Sequence, residues 1–113
     1  MKDCLFCKIV RGEIPSAKVA ESAECFAFRD IGPQAPVHVL VVPKTHFDSL
    51  DAVPDPAPVV GAMVALAQRI ARAEGIAATG YRTVINTGRE GGQTVGHLHL
   101  HLLGGRPFKW PPG

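Results

Sequence analysis

His97-Leu98-His99-Leu100-His101-Leu102-Leu103 is the stretch on which the reading of this chain turns. Three of the five histidines stand at alternate positions, with leucines between them. Successive side chains on a β-strand point to opposite faces, so the imidazoles share one face and Leu98, Leu100 and Leu102 share the other. The leucine face predicts a buried strand whose packing holds the register of the histidine face. Imidazole titrates nearest neutrality and can serve as nucleophile, proton carrier or metal ligand. Two plainer readings compete. A purification tag has consecutive histidines, which these are not. A solvated strand face is the other, although Thr, Lys or Glu are commoner there.

The segments around this stretch predict an α+β domain. Residues 88–96 form a glycine-rich loop feeding the histidine strand, and residues 81–87 read as the strand before it. Upstream, Val60, Met63, Val64, Ala67, Ile70 and Ala71 recur at helical spacing, with Pro54, Pro56 and Pro58 ahead of them and Gly75 as the stop. This is the main helix, and its apolar stripe suits one face of a sheet. Residues 38–43 are a β-branched apolar run, predicting a strand covered on both faces. Residues 30–36, with Gly32, Pro33 and Pro36, form a rigid loop. Residues 18–21 and 25–29 predict two strands around a turn, and residues 46–53 a short helix. Asp3 can cap a short N-terminal helix over residues 4–10, with Gly12 beyond its end. The sum is about five mostly antiparallel strands, one main helix and one short helix, in a single domain over residues 1–113.

Composition excludes several classes. The 113 residues suffice for one core, and the apolar share of 46% is that of a globular domain. A net charge of +2 with no Lys/Arg run argues against a nucleic-acid partner. No segment approaches the ~20 apolar residues of a membrane span. The first residues lack the apolar run of a signal peptide, so a cytoplasmic location is expected. Three cysteines cannot all pair with one another.

Two further motifs carry chemistry. Cys4-Leu5-Phe6-Cys7 is a C-x-x-C pair, open to a redox, metal or incidental reading. A redox couple wants a strand before the motif, and none is predicted. A metal needs two more ligands, for which the sequence offers His38, His46, His97, His99 and His101. Cys25, alternating with Phe26 and Phe28, reads as a core thiol. In the loop Asn86-Thr87-Gly88-Arg89-Glu90-Gly91-Gly92-Gln93-Thr94-Val95-Gly96, glycines let backbone N–H groups approach an anion. Such a loop taken alone is more often a hairpin connection than a phosphate cradle, the neighbouring histidine row strengthens the phosphate reading, and no Gly-Lys-Ser/Thr makes it a P-loop.

Taken together, these segments resemble the histidine triad (HIT) family and its Hint branch. The resemblance rests on the His-φ-His-φ-His-φ-φ motif at residues 97–103, with φ an apolar residue. It rests also on Phe28-Arg29-Asp30-Ile31-Gly32-Pro33-Gln34-Ala35-Pro36-Val37-His38, on Val42-Pro43-Lys44-Thr45-His46, on Gly91-Gly92-Gln93-Thr94-Val95 and on the Trp110-Pro111-Pro112-Gly113 tail. The motifs recur in order along nearly the whole chain.

The resemblance implies a HIT-like fold and a purine nucleotide hydrolase that cleaves the phosphorus–nitrogen bond of adenosine 5′-phosphoramidates through a nucleotidyl-histidine. It implies His99 as nucleophile, His101 as phosphate or leaving-group partner, His38 as the orienting histidine, and Thr94 where the family often has Ser. Asp30 would bind the ribose hydroxyls, and Phe6, Ile9, Phe28 and Ile31 would line the base pocket. Asn86, Gly92 and Gln93 would lie at the phosphate. The chemistry would need no metal, but a structural zinc on Cys4, Cys7, His46 and His97 is implied, as in some bacterial-type members. A two-fold dimer through the main helix and the strand from Tyr81 is implied, with Trp110 reaching the partner's site. Two alternatives remain: a dinucleoside polyphosphate hydrolase of the related Fhit-like branch, and a nucleotide-binding adaptor with negligible turnover.

Overall fold

A computed structural model describes residues 3–113. Five strands form one sheet in the order β1-β2-β3-β5-β4. They are β1 (Lys18–Glu21), β2 (Cys25–Arg29), β3 (Val37–Pro43), β4 (Tyr81–Val84) and β5 (Leu100–Gly104). Every neighbouring pair is antiparallel, so the expected mostly antiparallel sheet is fully so. Helix α1 (Leu5–Val10) and helix α2 (Pro56–Ala73) complete the fold.

Central strand β3 decides where the two cores sit. Its alternate side chains divide between the faces, as a period of two requires. Val39 and Val41 join α2 residues Met63, Leu66 and Ile70 in the larger core, whereas Leu40 and Val42 join Phe6, Ile9, Phe26 and Phe28 beneath α1. The strand is therefore covered on both faces, as its uninterrupted apolar run predicts. Leu98, Leu100 and Leu102 are at most 1% exposed and belong to the α2 core. That burial turns the three histidines toward the α1 side. Cys25 is buried in the α2 core, and burial pushes its thiol pKa up.

Several sequence expectations are corrected. Regular pairing begins only at Leu100, not at His97. The reason is local: the Leu98 N–H donates to the Phe47 carbonyl at 2.7 Å, and β3 ends at Pro43, which has no N–H to extend the ladder. Strand β4 ends at Val84 rather than residue 87. Between residues 46 and 53 there is one 3-10 turn, Leu50–Ala52, in place of a helix. The cap of α1 is Cys4, whose sulfur accepts from the Cys7 N–H at 3.4 Å, and not Asp3. Pro56 and Pro58 lie inside the first turn of α2, where the missing N–H groups have no intrahelical partner to lose.

Candidate functional site

Between α1 and the histidine face lies a cleft of about 350 Å³. Phe6, Ile9 and Phe28 form its apolar wall, and Asp30, His99 and His101 its polar side. Phe6 ties the two together. Its ring meets Phe28 edge-on at 5.4 Å and His99 at 5.2 Å between centroids. Ile31 also lines the cleft, but its side chain is fully exposed at the lip.

Hydrogen bonds to fixed backbone groups assign the tautomers of three rings. His99 Nδ1 lies 2.7 Å from the His97 carbonyl. A carbonyl only accepts, so Nδ1 carries the proton and Nε2 holds the lone pair. His38 is the reverse case. The Gln34 N–H donates to His38 Nδ1 at 3.0 Å, so the proton of the neutral ring sits on Nε2. From there it is donated to His101 Nδ1 at 2.9 Å, which leaves His101 with its own proton on Nε2. Two adjacent imidazoles thus show opposite chemistry: a bare nitrogen on His99 and an N–H on His101. Burial drives the His101 pKa down to about 4, helped by repulsion from His99 and His38 and opposed by Asp30. Burial also lowers His38, again against Asp30. The pair is therefore neutral near pH 7.

Asp30, His38 and His101 lie close enough to suggest a second metal site. The Gln34 N–H argues otherwise, because it obliges His38 to keep the very proton a metal would displace. Asp30 itself is held by an Asx turn, its Oδ1 accepting from the Gly32 N–H at 2.8 Å.

The first histidine of the row belongs elsewhere. Cys4, Cys7, His46 and His97 bring four ligand atoms within 4.8 Å of one another. His97 Nδ1 is 3.2 Å from the Cys4 sulfur, and His46 Nδ1 is 3.3 Å from the Cys7 sulfur. The far nitrogens are engaged: His97 Nε2 faces the Pro43 carbonyl at 2.9 Å, and His46 Nε2 faces the Asp48 carboxylate at 2.7 Å. Both partners accept, so both Nδ1 atoms present lone pairs, and they face each other at 3.1 Å. Two lone pairs repel unless a cation or proton lies between them. Burial lowers the His97 pKa, which disfavours the proton. Ordinary Zn–S and Zn–N bond lengths in a tetrahedron give nitrogen–nitrogen and nitrogen–sulfur separations of about 3.3–3.6 Å, close to the 3.1–3.5 Å observed. The donor set fits a closed metal site. Desolvation raises the Cys7 pKa, with Cys4 adding, and a bound cation acts in the opposite sense.

The remaining expected residues are dispersed. Gly92 and Gln93 line a larger, open depression of about 690 Å³ on the other side of the glycine-rich loop. Their N–H groups bond within the loop, to the Arg89 and Gly88 carbonyls at 3.1 Å each. The Gln93 side chain is also committed: it accepts from the Gly88 N–H and donates to the Asp48 and Val95 carbonyls. Thr94 lines both the cleft and the depression. Asn86 is half-buried and lines neither, and Trp110 is 82% exposed and lines neither. Asp48 and Gln34 escaped the sequence reading. Asp48 carries a signal, a carboxylate two residues beyond a candidate ligand histidine. Gln34 carries none, because its contribution is a backbone N–H.

A histidine row of divided roles beside an apolar cleft on this sheet defines a HIT-type protein. The HIT domain family model matches residues 11–108, and the chain belongs to that family. It is 52% identical over 113 residues to an uncharacterized HIT-like protein of Synechococcus elongatus, covering 99% of this chain and 98% of the relative. It is 47% identical over 108 residues to the purine nucleoside phosphoramidase of Escherichia coli K12, covering 95% and 91%. The crystal structure of a HIT family hydrolase from Legionella pneumophila superposes with a TM-score of 0.94 at 49% identity, covering 98% of this chain and 100% of that one.

Proposed function

We propose that this HIT-family hydrolase cleaves the phosphorus–nitrogen bond of purine nucleoside 5′-phosphoramidates through a nucleotidyl intermediate on His99. The observation that carries this reading is the pair of opposite tautomers on adjacent cleft histidines. His99 Nε2 attacks the α-phosphorus while the P–N bond breaks. The His101 Nε2–H hydrogen-bonds a phosphoryl oxygen as charge develops there. The amine departs as it takes a proton from water in the open depression, relayed by the Thr94 hydroxyl, which lines both hollows. A second water then attacks the phosphorus and gives up its proton to solvent, so that the P–Nε2 bond breaks, the nucleoside monophosphate leaves and His99 regains its bare Nε2. The base lies against Phe6, Ile9, Phe28 and Ile31, and Asp30 Oδ2 meets the ribose hydroxyls. The name of the Escherichia coli relative supports this substrate class.

Cys4, Cys7, His46 and His97 hold a structural zinc. Its bond set joins α1 to the segment leading into the sheet, next to the apolar wall of the cleft. The enzyme is a cytoplasmic homodimer. Edge strand β4 with half-exposed Tyr81, the 48% exposed Val64 on α2, and Trp110 in the tail support an interface there. Trp110 comes to the substrate only in that assembly.

The test is intact mass after acid quenching with adenosine 5′-phosphoramidate. Wild type gains an AMP-sized adduct and releases AMP; His99→Ala does neither. Equal turnover by His99→Ala refutes the mechanism.

A further inference from the structure

We propose that Arg106 is a positioning residue for the histidine pair, acting through Gln34; this rests on the hydrolase reading above. Arg106 follows β5 across Gly104 and Gly105. A Cβ on Gly104 would lie 2.6 Å from Ile76, and one on Gly105 would lie 2.9 Å from Pro36. Gly105 also has φ +89°, a conformation that side chains resist. Gly104 lets the end of β5 lie close against Ile76, and Gly105 lets the chain that follows lie against Pro36 of the rigid loop ahead of β3, which delivers Arg106 to that loop.

The guanidinium is held there at three points. Its Nε donates to the Gln34 carbonyl at 3.0 Å, its Nη1 donates to the Pro107 carbonyl at 3.1 Å, and its carbon lies 4.3 Å from the Phe108 ring centroid. An exposed arginine fixed this way has given up rotamer freedom, and the contacts offset that cost. Gln34 is thereby pinned at both backbone groups. Its carbonyl is under Arg106 and its N–H is on His38 Nδ1. Its side chain adds a third tie, donating to the Gly32 carbonyl at 3.1 Å.

The consequence reaches the cleft. The Gln34 N–H keeps His38 Nδ1 bare, and the Asp30 carboxylate, 3.5 Å from Nε2, favours the proton on that side as well. If Gln34 swings away, the other tautomer becomes accessible, with a lone pair on Nε2 facing His101 Nδ1. His101 must then move its own proton to Nδ1, and the N–H that would face the phosphoryl oxygen is lost. Arg106 touches neither substrate nor histidine, yet it secures the donor state of His101.

Two variants and two readouts test this. Long-range 1H–15N spectra of the ligand-free protein report the His38 tautomer. Steady-state kinetics with adenosine 5′-phosphoramidate report kcat and KM separately. For Arg106→Ala the expected result is a mixed His38 tautomer pattern, kcat lower by about tenfold and KM within about twofold. Arg106→Lys keeps the charge but not the planar Nε donor, and should fall between Ala and wild type in both readouts. A wild-type His38 pattern in Arg106→Ala overturns the proposal whether or not kcat falls, because tail packing alone would then explain any loss. Should Arg106→Ala fail to fold, Arg106→Lys decides: lowered kcat with an unmixed His38 pattern also overturns it. Absence of turnover in the wild type defeats the hydrolase reading but leaves the tautomer result to stand on its own.

Discussion

Acid should unfold this protein partly through His101. The ring is half-buried against β3 and the His99 and His38 rings, and its pKa falls from 6.5 to about 4. In the unfolded chain the same group titrates near 6.5. Between those values the unfolded state binds the extra proton, so the contribution to stability is present above about pH 6.5 and is lost as pH falls toward 4. Proton linkage makes the difference between pH 7 and about pH 4.5 worth about 2.4 kcal/mol for that shift. Solvent screening of a partly exposed ring reduces this to about 1 kcal/mol. The assay is urea unfolding of wild type and His101→Asn at the two pH values. With a slope of about 1.5 kcal/mol/M, the wild-type midpoint should fall by about 0.7 M more than the variant midpoint. Acid protonation of the Cys4, Cys7, His46 and His97 cluster acts on both proteins and cancels in the difference. Equal midpoint shifts in the two proteins would refute the claim that His101 is held neutral by burial.

Two more outcomes are expected. Elemental analysis should find about one zinc per chain, absent from Cys7→Ser; in Asp48→Asn zinc should remain but bind about 10–100-fold more weakly in chelator competition, because His46 loses the carboxylate on its far nitrogen. A metal-free wild type with freely titratable thiols would reject the site. Leu102→Ala should cost about 3 kcal/mol in denaturant unfolding, since Leu102 is fully buried under α2, whereas Leu5→Ala at a 44% exposed position should cost under about 1 kcal/mol; equal costs would show that the leucine face is not the core.

Much of the fold was legible in the chain because its signals are local. The alternation in residues 97–103 predicts which side chains are buried, and Leu98, Leu100 and Leu102 are. The apolar run before Pro43 predicts a strand covered twice, and the two cores divide its alternate residues. Ends of elements were less legible. Residues 97–99 have strand periodicity but leave the ladder, because a hydrogen bond from Leu98 to Phe47 competes with it. The short helix expected at residues 46–53 is absent as such, where His46 and the Asp48 carboxylate and carbonyl are all tied to distant or neighbouring groups.

The sequence by itself determined the sheet, the main helix and the shared face of the three histidines, since period and turn chemistry are properties of neighbouring residues. Tertiary structure alone divided that face. His97 is set against Cys4, Cys7 and His46, residues 51 to 93 positions away, and its Nδ1 is turned to them by the Pro43 carbonyl on the other nitrogen. His99 and His101 receive opposite proton placements from two backbone groups, the His97 carbonyl and the Gln34 N–H. A backbone group has no residue identity, so no side-chain pattern in the chain could announce which nitrogen would be bare.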